Sequence, residues 1–154
     1  MTMARKKNKQ AYKPPAGGAT ITPAQVNKTK APLDSKTEAF VDSLYNATFQ
    51  RYDARPTSME GVYIVLRWYK FSKTWITLYV GEGDIRLELN RLFGPCKTCK
   101  PITKYLSSVS KADRKRLLAL KWIPYPDFKT TMKDIRTVIA AKYNDGGEPP
   151  FNCV

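Results

Sequence analysis

Residues 61–93 read GVYIVLRWYKFSKTWITLYVGEGDIRLELNRLF, and two tripeptides in them, Gly61-Val62-Tyr63 and Tyr79-Val80-Gly81, each lie in a strand-like run. Residues 61–69 and 75–80 are rich in Val, Ile, Tyr, Trp and Thr, which fit a pleated, half-buried surface. Residues 70–74 join them, and a helix-like segment from 84 to 93 follows. In a tight antiparallel pair, Tyr63 and Tyr79 come close on one face and aim two phenols at one spot.

Upstream, Ser35-Lys36-Thr37-Glu38 reads as a capping box opening a helix over 36–51. Phe40, Val41, Leu44, Tyr45, Thr48 and Phe49 give that helix one apolar stripe, suited to covering a sheet. Downstream, Gly81-Glu82-Gly83 reads as a flexible turn, with Asp84 capping a helix whose buried stripe is Ile85, Leu89, Leu92 and Phe93. Gly94-Pro95 stops it, 96–100 is a loop, and Pro101 opens a short helix to about 109. Ser110 to Asp113 opens a basic segment, and 118–125 reads as a third strand closed by Pro124 and Pro126. Asp127 then caps a last helix to about 143, ended by Asn144-Asp145-Gly146-Gly147. The expected fold is α+β, a small, mainly antiparallel three-stranded sheet flanked by helices. One globular domain over 34–154 is expected to follow a disordered basic arm over 1–33, which is poor in large apolar side chains.

Charge narrows the partners. Twenty-seven Lys and Arg against thirteen Asp and Glu leave the chain at +14. The arm holds seven bases and no acid, so the remainder also carries +7. A basic body points to a polyanion, whose counterions are released when its phosphates are neutralised. Arg5-Lys6-Lys7-Asn8-Lys9 suits a nucleic-acid contact or nuclear localisation, or is simply a solvated patch. No apolar run approaches the ~18 residues that span a bilayer, and no secretory signal is evident. The expectation is an intracellular, non-membrane protein, in the nucleus or another DNA-containing compartment. Histidine is absent, which excludes Ser-His and Cys-His triads and imidazole-based nuclease or zinc sites. Phosphodiester chemistry would therefore fall to Tyr, Lys, Arg or a carboxylate with a metal.

The two tripeptides resemble the GIY-YIG nuclease family, whose name spells them, with Val here in place of Ile. The resemblance covers roughly 61–152 and includes the order of elements. It implies Gly61, Gly81 and Asn152 as structural motif positions. In one branch Tyr-Val-Gly-Lys-Gly precedes a helix with Arg and, four residues on, His; here Arg86 and Asn90 occupy those positions, with Arg91 the fallback arginine. A late-helix metal carboxylate maps onto Asp134, in Lys133-Asp134-Ile135, one methylene shorter than the family's glutamate. The implied activity is divalent-metal DNA hydrolysis. Tyr63 helps activate water, Tyr79 positions it or the phosphate, Arg86 stabilises the phosphorane, and Asp134 holds Mg²⁺ or Mn²⁺. The alternative is the same fold as an inactive nucleic-acid-binding or packaging protein, and a basic adaptor for an acidic protein is a third reading.

Other residues join the expected nucleic-acid surface: Arg91, Lys97, Lys100, Lys104, Arg114, Lys115 and Arg116. Trp122 and Tyr125 could stack on an unpaired base, or Trp122 could lie in the core. Cys96-Lys97-Thr98-Cys99 is a lone C-x-x-C with Cys153 remote. Without a fourth ligand it is a weak zinc signal, and reduced thiols are the preferred reading.

Overall fold

A computed structural model describes residues 34–95, 100–144 and 147–152. The basic arm over 1–33, Cys96, Lys97, Cys99 and Cys153 lie outside the described residues. The first helix, α1, spans Ser35–Tyr45, and its N-cap is Asp34, whose carboxylate accepts from the Thr37 backbone N–H at 3.0 Å. The same oxygen accepts from Thr37 Oγ1 at 2.7 Å, so the cap sits one residue before the expected box. The helix stops six residues short of expectation. Beyond it, Gln50–Arg51 form a short strand, β1, pairing antiparallel with Leu120 and Ala119. Those backbone groups find partners at an edge that would otherwise be open, which outweighs continuing the helix.

The hairpin forms as expected but runs longer. Strand β2 spans Glu60–Tyr69 and β3 spans Thr74–Asp84, antiparallel, with Gly61 opposite Gly83 and Tyr69 opposite Thr74. The Gly81-Glu82-Gly83 segment is therefore strand rather than turn, because its backbone pairs with Tyr63, Val62 and Gly61. The register shifts between Val65 and Leu66, where Tyr79 and Thr77 are their respective partners and Leu78 is the extra residue. Strand β4, Leu118–Pro124, pairs antiparallel with the other side of β2. The sheet thus has four strands, in the order β1-β4-β2-β3, rather than three.

Helices cover both faces. On one face Val62, Ile64, Leu66, Val80 and Ala119 pack with Phe40, Val41 and Leu44 of α1 and with Ile135, Val138 and Ile139 of the last helix. On the other, Tyr63, Val65, Tyr79, Leu118 and Leu120 pack with α2, Ile85–Leu92, and α3, Pro101–Ser108. A short helix, α4, spans Lys111–Leu117 before β4. The last helix, α5, is Met132–Lys142, starting later than the expected Asp127 cap because Thr131 caps it, accepting from the Asp134 N–H at 3.1 Å. The intervening segment crosses α1 instead: Thr130 and Thr37 hydroxyls bond at 2.9 Å, and Phe128 meets Phe40 edge-on. The architecture is α+β, with helices on each side of an antiparallel sheet.

Two asparagines close the outer edge of β3. Asn152, in a single 3₁₀ turn at Pro150–Asn152, accepts from the Val80 N–H at 2.8 Å and donates to its carbonyl at 3.0 Å. Asn144 does the same for Thr77, at 3.3 and 3.1 Å. Each amide imitates one rung of a neighbouring strand, leaving less of the edge free to recruit another chain.

Candidate functional site

Period-two alternation sets Tyr63 and Gly81 opposite each other, and Tyr79, two residues along β3, shares their face. The Tyr63 phenol lies directly over Gly81; a Cβ there would overlap its ring and hydroxyl. Glycine at 81 is thus what lets that ring lie flat across the neighbouring strand. The rings of Tyr63 and Tyr79 are 6.2 Å apart, inclined at 42°. Gly61 answers a separate need, since a Cβ there would strike the Ile123 carbonyl of β4.

Helix α2 brings charge to the phenols. Asp84 caps it, its carboxylate accepting from the Leu87 N–H at 3.2 Å. Ile85, Leu89 and Leu92 face the core, leaving two polar flanks. Glu88 and Arg91 form one flank. Glu88 Oε1 lies 3.5 Å from the Tyr63 hydroxyl, and its Oε2 accepts from Arg91 at 2.6 Å. Lys100, at the N-cap of α3, brings its ammonium 3.5 Å from the Tyr79 hydroxyl. Two phenols, a carboxylate, a guanidinium and an ammonium therefore form one group.

Burial pushes the Tyr63 phenol well above the usual range, with the Tyr79 phenol and the Glu88 carboxylate adding to it and Arg91 opposing. Tyr63 is fully buried, while Tyr79 keeps slight exposure at 9%. That raised pKa favours the protonated phenol, whose hydroxyl donates toward Glu88.

Arg86 and Asn90 occupy the other flank of α2. Arg86 donates to the Pro56 carbonyl at 3.2 Å, and Asn90 Oδ1 accepts from Arg55 at 2.8 Å. Burial lowers the Arg55 pKa, opposed by the Asp53 carboxylate and reinforced by Arg86. Of the two arginines weighed from the sequence, Arg91 is the one beside the phenols.

Asp134 stands in the first turn of α5, exposed, on the helix packed against the opposite sheet face. It does not meet Tyr63 and Tyr79, because Ile135, Val138 and Ile139 commit α5 to the other layer. Glu88 is the carboxylate at the phenols, and sequence reasoning missed it. Its signal was three-residue spacing to Arg91 on a capped helix directly after the second tripeptide. Among the described residues no three Asp, Glu or Cys side chains gather around a common ion-sized space.

The remaining expected residues are dispersed. Lys104 and Lys115 are exposed. Arg116 pairs with Asp113, while Arg114 donates to the Val109 carbonyl at 3.0 Å and lies over the Tyr52 ring. Trp122 packs against the tyrosine-side core, opposite Tyr63. Tyr125 is held by Glu82, its hydroxyl donating at 3.0 Å, and desolvation and that bond push its pKa up to about 12. Asn152 holds β3, as described. Compared with known protein families, curated proteins and solved structures, the chain matches none.

Proposed function

We propose that this domain binds DNA and hydrolyses its phosphodiester bonds at the Tyr63–Tyr79 group, as a divalent-metal endonuclease of the GIY-YIG type. The observation that carries the reading is the convergence of two phenols from paired strands with Glu88, Arg91 and Lys100. Lys100 and Arg91 supply positive charge for a phosphate and for the charge that develops as it becomes five-coordinate. Tyr79, the more exposed phenol, hydrogen-bonds a phosphate oxygen or the attacking water. Tyr63 stays protonated and donates toward Glu88, fixing the carboxylate from one side while Arg91 fixes it from the other. The Glu88 Oε1 contact to Tyr63 is the longer of the two, which leaves that oxygen able to accept another partner.

A metal fits this donor set in a limited way. Mg²⁺ and Mn²⁺ need few protein carboxylates, keep several waters and share substrate phosphate oxygens. Glu88 is the residue that would hold one, and the ion would lower the pKa of bound water and neutralise phosphate charge.

Two observations favour the non-catalytic alternative. Tyr63 is fully buried, and Asp134, the residue matching the family's metal carboxylate, lies in the other layer. The two readings part on supercoiled plasmid incubated with Mg²⁺ or Mn²⁺. Metal-dependent nicking that falls at least tenfold in Tyr79→Phe and Lys100→Ala supports the nuclease. Shifted but intact plasmid supports the binding protein.

A further inference from the structure

We propose that the tip of the β2–β3 hairpin is a wedge that unstacks a nucleic-acid base step, Phe71 entering between the bases and Lys70 and Lys73 holding the flanking phosphates. The inference rests on the nucleic-acid reading above and assigns the tip its own role within it. Phe71 is 102% exposed, as open as in an extended peptide. Nothing packs against it, although burying a side chain of this size is favourable.

The mount beneath it is stiff. Strand pairing continues up to Tyr69 and Thr74, so the loop is only residues 70–73. Trp68 and Trp75 pack together on one face with centroids 5.5 Å apart. Ser72 and Thr74 hydroxyls bond at 2.7 Å, and Lys73 takes a positive φ of 53° to close the turn. On the other face the Arg67 guanidinium lies 5.4 Å from the Tyr69 ring centre and 5.9 Å from that of Tyr105. A rigid ribbon thus projects one bare aromatic ring.

Charge complementarity selects the occupant. Lys70 and Lys73 flank the ring and are exposed, and no acidic residue occurs between Glu60 and Glu82. An anionic bilayer shares that charge preference but rewards apolar area, and one Phe beside Ser72 offers little of it. A single inserted ring is enough to open one base step, and an unstacked base can also stack on it. From Tyr63 to Tyr69 the strand rises ~20 Å at about 3.3 Å per residue. The wedge and the tyrosine site therefore lie well apart along one ribbon.

The test uses the full chain without added divalent metal, so that binding is read without cleavage. The probe is a duplex carrying 2-aminopurine beside a single-base bulge, with phosphatidylserine vesicles as a parallel arm. The wedge predicts a rise in 2-aminopurine fluorescence, lost in Phe71→Ala together with about tenfold or more in affinity, and retained in Phe71→Trp. It also predicts that replacing Lys70 and Lys73 by Ala lowers the slope of log affinity against log salt by about two. Unchanged fluorescence and affinity in Phe71→Ala, with binding weakened by Lys100→Ala, would overturn the wedge and leave the nucleic-acid reading standing. No affinity of the wild type for DNA would overturn both. Vesicle binding lost in Phe71→Ala, without a fluorescence response, would assign the tip to membrane instead.

Discussion

Tyr63 and Gly81 form one packing unit, since the phenol occupies the space a side chain at 81 would need. Gly81→Ala must displace a fully buried ring, and the expected loss is ~1–3 kcal/mol of stability, measured by urea unfolding. Ionisation gives a second test at this scale. Both Tyr63 and Tyr125 have folded-state pKa values above the ordinary tyrosine value, Tyr125 at about 12. A raised pKa contributes stability that is fully present below about pH 10 and is lost as pH climbs through the folded value. Stability should therefore fall on raising the pH above about 10. Tyr63→Phe should flatten that fall, as read from unfolding midpoints between pH 8 and 11. A slope identical to wild type would show that Tyr63 is not held protonated. The pairing of the two phenols was legible because alternation in an antiparallel hairpin fixes which residues share a face. The partner carboxylate was not, because Glu88 and Arg86 lie on opposite flanks of one helix and only its docking onto the sheet decides which flank meets the phenols.

At the scale of elements, β3 is held along its outer edge by two side-chain amides, each making a donor and an acceptor bond to one residue. Asn152→Ala removes both bonds at Val80 and should cost about 1–3 kcal/mol. Hydrogen exchange at the Val80 amide should accelerate by at least tenfold more than at Val65, a partner of β4. Equal acceleration at both amides would mean global loosening and no local clamp. Strand β2, the α2 cap at Asp84 and the β4 segment could be read from composition and turn chemistry. The early end of α1, the short β1 and the late start of α5 could not. Each follows from a tertiary partner, Leu120 for Gln50 and Thr37 for Thr130, that local propensity does not contain.

The whole molecule places the tyrosine group and Asp134 in different layers of helix, sheet and helix. That division could not be read from the chain, because the order of elements does not state which face of the sheet a late helix covers. Net charge could be read, and its consequence is steep salt dependence. Affinity for DNA should fall about a hundredfold or more between 50 and 200 mM salt, with cleavage falling alongside it. An affinity that does not change with salt would remove the electrostatic basis of the proposed function. The central claim is that Glu88, not Asp134, is the carboxylate serving the two phenols. The most direct measurement is the initial rate of Mg²⁺-dependent nicking of supercoiled plasmid by wild type, Glu88→Gln and Asp134→Asn, each checked for an unchanged unfolding midpoint. The account predicts a fall of a hundredfold or more in Glu88→Gln and a rate within about twofold of wild type in Asp134→Asn, on the scale of removing a single transition-state contact. Loss of nicking in Asp134→Asn with Glu88→Gln unaffected would contradict it.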